Sequence, residues 1–319
     1  MTRQELENSI TAVIQNGDQL STVVYAVMKN TLEVKKLNID NEEITHIQQM
    51  FLESINNNII QAEGQGIIKV SEADDRANTV FEYDIDLPDD LQYLISALND
   101  NIPIFSFDND DLGEIDSLII EIGTEEVQLR LLKKLFPVEV FNRGGYRLWK
   151  SGNRLERFED KVLTLTPKFD ALYISENIIF MSLKLLERSH GFHDVIVREA
   201  TLTIQSIADF NLLTETQNLL ELLSNVRFAR KVLKIRNSPV IRLQIPNDVI
   251  IEFTKNNPSL RNKFRYSDDG TQINLHTKKA KELFLKLMDD VFLNSELTKQ
   301  FYESIAKDEI IVAQEGNPE

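Results

Sequence analysis

The chain reads as a mixed α/β protein of the α+β kind. An acidic N-terminal α/β region comes first, then a β-rich stretch, then a helical C-terminal region. Three observations predict this. Helical and strand periodicities alternate through the first third of the sequence. Short apolar runs separated by turn residues fill residues 125–181. Helical periodicity then dominates from His193 onward. Charge divides the chain at the same place. Residues 1–126 hold 6 Lys and Arg against 26 Asp and Glu, a balance of −20; residues 127–319 hold 29 against 25, or +4, which together give the formal −16. The boundary is therefore placed near Thr124, with an acidic region over 1–124, a second region over 125–312 and a polar, disordered tail over 313–319.

Taken in order, residues 2–15 form a helix with Leu6, Ile10, Val13 and Ile14 inward. Asn16-Gly17-Asp18 turns the chain, and STVVYAVMK and TLEVKKLNI make a hairpin around Asn30. Asp40 opens a helix with Glu42 and Glu43 in its first turn and Ile44, Ile47, Phe51 and Ile55 along one stripe. Gly64 and Gly66 interrupt the chain, residues 78–86 are strand-like, and Pro88 opens a helix with Leu91, Leu94, Ile95 and Leu98 buried. A strand over residues 118–122 follows an acidic loop. Beyond the β-rich stretch, helices are expected over 193–210, 213–223 and 226–236. Another starts at Pro246. Asp268-Asp269-Gly270 marks a hairpin. A helix over 278–291 and a last one capped by Ser295, with Leu297, Phe301 and Ile305 on one face, complete the chain.

Composition narrows the function. Hydrophobic residues make up 42% of the sequence, enough for a packed core. With no cysteine there is no disulfide framework and no Cys-based zinc site. The start MTRQELENSI has no apolar core of a signal peptide, and no apolar run approaches the roughly 18 residues of a membrane span. The expectation is a cytoplasmic protein without direct membrane insertion. Phosphate-binding loops, nucleophile elbows and H-E-x-x-H helices are missing, so no cofactor, metal site or catalytic residue is expected.

The most informative stretch is NVRFARKVLKIRNSPVIR, residues 225–242, with six basic residues and no acid. Asn225 is a suitable N-cap, and Asn237-Ser238-Pro239 stops the helix. Arg227, Arg230, Lys231 and Lys234 recur at helical spacing, with Arg236 just beyond, while Phe228, Val232 and Ile235 take another face. Such a face is either solvated surface or a seat for phosphates. Lys278, Lys279 and Lys281 form a second cluster at a helix start, where free N–H groups favour anions. A third, Arg143, Arg147, Lys150, Arg154 and Arg157, is read instead as cross-strand pairing with Glu156, Glu159 and Asp160.

Three motifs in order resemble the KwaB-like family, the soluble partner in the two-gene Kiwa antiphage defence system of bacteria. They are RFARKVLKIRNSP, the SDDGTQI hairpin with its lysine-rich helix start, and LMDDVFLNSELTKQFY. The resemblance is firmest over residues 168–310. It implies an effector subunit that binds DNA and works beside a small polytopic membrane protein, KwaA, and it supplies no catalytic residues. With this resemblance, binding is the preferred reading of the first basic cluster. Contacts to phosphate alone predict no sequence specificity. Recruitment to the inner membrane would come through that partner. A homodimer or higher homo-oligomer would raise avidity without new contacts.

Two acidic patterns compete for a role. Asp18, Glu33 and Lys35 have the residue types of a Mg²⁺-dependent nuclease, although Glu-x-Lys arises easily by chance in so charged a chain. The loop SFDNDDLGEID offers Asp108, Asp110, Asp111 and Glu114. It is either a solvated loop or a docking surface for the Lys- and Arg-rich cytoplasmic face of a membrane protein. The bland alternative to both is a structural interaction subunit.

Overall fold

The computed structural model describes residues 1–74, 76–96, 98, 101–136, 140–141, 148–151, 154–157, 162–188 and 191–304. The chain forms two compact units. One holds residues 1–70 and 78–192; the other holds 71–77 together with the chain from 193 onward.

The first unit is built on an eight-stranded sheet. Its strands are β1 (Ser21–Met28), β2 (Val34–Lys36), β3 (Gly66–Lys69), β4 (Thr79–Glu82), β5 (Ile115–Gly123), β6 (Gln128–Lys134), β7 (Ala171–Ile174) and β8 (Asn177–Phe180). They lie in the order β2-β1-β5-β6-β7-β8-β4-β3. Every neighbouring pair is antiparallel except β3 and β4. Helix α1 (Arg3–Ile14) starts in a capping box: Thr2 Oγ1 accepts from the Glu5 N–H at 3.2 Å, and the Glu5 carboxylate accepts from the Thr2 N–H at 2.6 Å. It buries Leu6, Ile10 and Val13, while α2 (Asn41–Ile55) buries Ile47, Phe51 and Ile55. The register Val24↔Ile120 and Ala26↔Leu118 sets β1 and β5 residues on one face, where they meet both helices in the main core. Each large side chain fully buried there contributes about 1.5–3 kcal/mol.

The opposite face is covered as well, since Tyr25, Val27, Ile119, Leu132 and Phe180 are also buried. A polar strip crosses it. Arg130 donates to Glu121 at 2.8 Å and to the carbonyls of Leu94 and Ser96 at 3.0 and 2.6 Å, and its guanidinium lies 5.7 Å from the Tyr173 ring centroid. A buried arginine with this many partners escapes the cost of an unpaired charge.

The expected boundary at Thr124 falls inside this sheet. Thr124 sits in the turn of the β5–β6 hairpin, donating its N–H to the Val127 carbonyl at 2.8 Å. The two units part instead at Phe192, because the turn at Thr124 joins two paired strands of one sheet. The structure also departs from expectation after Pro88. A 3-10 turn over Asp89–Leu91 precedes only one α-helical turn, Gln92–Ile95, so the phase slips and Tyr93 is buried where Ile95 was expected.

The second unit contains helices α3 (Phe192–Asp209), α4 (Val226–Lys234), α5 (Asn247–Asn256) and α6 (Lys278–Met288). The expected helix over 213–223 contracts to Gln217–Leu220. The Asp269 hairpin is present, with Arg265–Tyr266 pairing Ile273–Asn274. Asp269 accepts from the Ser267 hydroxyl and from the Thr271 N–H and hydroxyl, which together hold its carboxyl below the usual aspartate range. Gly270 turns the corner at φ +72°. The expected last helix is a hairpin instead, Phe292–Asn294 with Phe301–Glu303. Lys299 at φ +55° is incompatible with a helix, and Leu297 is 92% exposed rather than packed. Ile305 and the tail 313–319 lie outside the described residues.

Candidate nucleic-acid interface

The basic helix forms as its sequence requires. Asn225 caps α4, its side-chain oxygen accepting from the N–H groups of Arg227 and Phe228 at 3.0 and 3.2 Å. Phe228, Ala229, Val232 and Leu233 are buried. At about 100° per residue these four centre on one side of the helix. Arg227, Arg230, Lys231 and Lys234 then occupy an arc of about 100° centred directly opposite.

The five cations are not equivalent. Arg227 and Lys231 are exposed, and Arg230 is half-buried. Lys234 is bound by Asp289 at 2.8 Å, with both side chains mostly covered. Arg236 follows in the 3-10 turn Ile235–Asn237 and binds Glu199 at 2.6 Å. Asp74, from the 71–77 excursion, also acts on Lys234. Burial would raise the Asp74 carboxyl, but Arg76, bonded at 2.8 and 2.9 Å, and the nearby Lys234 hold it below the usual range. Sequence reasoning missed Asp289, Glu199 and Asp74, since nothing local in the sequence links them to the basic stretch.

The second cluster stands on α6. Thr277 caps this helix, accepting from the Ala280 N–H at 3.0 Å. Lys278 and Lys279 are exposed and Lys281 is half-buried. Cations at a helix N-terminus oppose the macrodipole, at about 0.3–1 kcal/mol each, and an anion there reverses the sign. Asp289 is the C-cap of the same helix, so the Lys234 contact and the lysine cluster lie at opposite ends, about 16 Å apart at 1.5 Å per residue. That span fits within one turn of duplex DNA, about 34–36 Å. Of the third cluster, Arg143, Arg147 and its intended partners Glu159 and Asp160 lie outside the described residues, as do the side-chain environments of Lys150, Glu156 and Arg157.

The acidic patterns resolve differently. Asp18 lies in the turn before β1, whereas the Glu33 carbonyl is bonded to Met28 at the far end of that strand. The length of β1 separates Asp18 from Glu33 by more than about 20 Å. Lys35 is taken by Asp110 at 2.8 Å and approaches Glu33 at 3.6 Å. The Asp18, Glu33 and Lys35 constellation is therefore not assembled, because the hairpin places its acids at opposite ends. Among the described residues no three His, Asp or Glu side chains are grouped to hold a metal ion.

In the acidic loop, Asp110 accepts from Lys35 and from the Ser106 N–H at 2.9 Å, which keep its carboxyl below the usual range, while the bond to Asp110 in turn raises the Lys35 ammonium. Asp111 accepts from the Gly113 N–H at 2.8 Å. Asp108 and Glu114 are exposed, Glu114 accepting from Asn30 at 3.3 Å. Asp110 thus straps the loop to β2 through Lys35, Glu114 touches Asn30 in the β1–β2 turn, and Asp111 closes a turn within the loop itself. No helix among the described residues is long and apolar enough to cross a membrane.

Comparison with known proteins adds the decisive observation. The family described as Kiwa protein KwaB-like matches residues 112–298. The chain belongs to the KwaB-like family. It is also 28% identical to Kiwa protein KwaB of Escherichia coli O55:H7 (strain RM12579 / EPEC) over 97% of this chain and 99% of that protein. The KwaB-like match spans Thr124 and takes in parts of both units, and the similarity to the E. coli protein extends through the acidic N-terminal region. No solved structure matches the chain.

Proposed function

We propose that this KwaB-like protein is a DNA-binding subunit of an antiphage defence system. In this reading it grips the phosphate backbone without sequence specificity and acts with a membrane protein of the same system. The observation that carries this reading is the α4 arc: four cations opposite four buried residues, within a chain whose net charge is −16. Arg227, Arg230 and Lys231 make the primary phosphate contacts. Lys234 and Arg236 set the helix in place through Asp289 and Glu199, and Lys278, Lys279 and Lys281 extend the track. In this reading the protein binds DNA without cutting it. A homo-oligomer doubles the basic surface and raises avidity. Asp108 and Glu114 serve the partner side.

The three primary phosphate contacts alone give a slope of log K against log salt of about −2.7, so affinity falls at least about 40-fold between 50 and 200 mM salt, and more where the α6 lysines also engage. A gel shift on purified protein across that series, with and without Mg²⁺, tests the reading. The expected result is a sequence-tolerant shift of intact DNA. No shift at about 50 mM salt overturns DNA binding by the isolated chain, and DNA cleavage that requires Mg²⁺ overturns the non-catalytic part.

A further inference from the structure

Residues 103–105 extend the sheet beyond its edge strand β2. The Lys36 N–H donates to the Pro103 carbonyl and the Phe105 N–H to the Lys36 carbonyl, both at 2.8 Å, with Ile104 as the parallel bridge partner of Lys36. In this parallel bridge Lys36 commits both of its backbone groups to residues 103 and 105, so the N–H and C=O of Ile104 point away from β2. Ile104 thus presents both outward, and neither has a hydrogen-bond partner among the described residues. Its side chain is 66% exposed, and Phe107, three residues on, is 63% exposed. Phe107 is propped on buried Phe105, edge to face, with ring centroids 5.2 Å apart.

Charge surrounds this apolar step. Residues 104–116 contain five carboxylates and no basic side chain. Three are engaged inside the fold, Asp110 by Lys35, Asp111 by the Gly113 N–H and Asp116 by Lys134. Asp108 and Glu114 remain exposed, with Lys36 the cation on β2 at this edge. The −20 balance of residues 1–126 disfavours an acidic occupant, including the same loop of a second copy.

We propose that this edge captures an extended peptide segment of a partner protein in which Lys or Arg alternates with apolar residues. The segment adds as a strand outside Ile104, its backbone taking the two outward groups, its apolar side chains resting on Ile104 and Phe107, and its cations meeting Asp108 and Glu114. The inference rests on the partner-docking reading of the acidic loop and supplies its mode of contact.

The test is fluorescence anisotropy of a labelled acetyl-(Lys-Val)4-amide peptide titrated with the full-length protein at about 0.1 M salt. An acetyl-(Glu-Val)4-amide peptide and a (Lys-Val)4 peptide with alternate backbone nitrogens methylated serve as comparisons. Ile104→Pro removes the outward N–H while leaving both bonds to Lys36. The expected result is binding of the lysine peptide and not the glutamate one. Backbone methylation, Ile104→Pro and Phe107→Ser should each weaken binding at least about tenfold, and Asp108→Lys with Glu114→Lys should abolish it. Unchanged far-UV circular dichroism and an unchanged melting temperature in every variant show that the fold is intact. If charge reversal abolishes binding while methylation and Ile104→Pro leave it unchanged, strand addition is overturned and charge-based docking stands. No binding of the lysine peptide, or binding indifferent to all three changes, overturns both.

Discussion

Glu199 is 5% exposed, and the Arg236 guanidinium is its salt-bridge partner. Removing the arginine leaves a buried carboxylate uncompensated, which costs about 1–3 kcal/mol. Arg236→Ala should therefore lower the unfolding free energy by that amount in a urea titration. Arg227→Glu with Lys231→Glu, on exposed positions, should leave stability within about 0.5 kcal/mol, weaken DNA binding at least about tenfold and flatten the salt slope by about two. The sequence displayed all these cations alike. What separates them are acids 37 and 55 positions away, and such pairings come only with tertiary structure. The Lys35–Asp110 strap is likewise invisible locally, though its pH response follows directly. Asp110 is held below its unfolded value, so its contribution is full above about pH 4 and fades as pH falls through the lowered value. Lys35 is raised, so its share is full below about pH 10.4 and fades only as pH rises through the raised value. Hydrogen exchange at the Ser106 amide should stay protected between those limits and be lost in acid.

Elements were legible where one local signal set both their period and their ends. Helices α1, α2, α4 and α6 carry a continuous apolar stripe with Thr2, Asp40, Asn225 and Thr277 at their N-caps. Of these, Asn225 bears directly on the interface. Asn225→Ala should cost about 1 kcal/mol and loosen the turn that presents Arg227, seen as lower stability together with weaker DNA binding. The last hairpin reads as a helix in the sequence because Leu297, Phe301 and Ile305 recur every four residues, and the left-handed Lys299 marks the turn instead. Gly123 gave no sequence signal either. A Cβ there would lie 2.3 Å from the Val127 carbonyl oxygen, against backbone that cannot swing away. Gly123→Ala should destabilise the first unit by about 1–3 kcal/mol in calorimetry, as overpacking does.

For the molecule as a whole, the α+β class and the acidic-to-basic gradient were readable from composition and periodicity, whereas the partition into units was not. A net charge of −16 opposes compaction by self-repulsion while the α4 arc attracts phosphate, so salt should act on the two properties in opposite senses. From 20 to 150 mM salt the melting temperature should rise as DNA affinity falls, both measured on one preparation. The partition itself turns on residues 71–77, which leave the sheet between β3 and β4 and join the second unit. No sequence rule says which core a connecting loop will join, and a parallel pair usually needs a crossover of about a dozen residues or more. This loan has a consequence for recombination. A crossover between two KwaB-like genes anywhere from codon 78 to codon 192 would give the second unit one parent's 71–77 and the other parent's body. Asp74 would then face a foreign Lys234 counterpart, and productive chimeras would be those that exchange the two segments together.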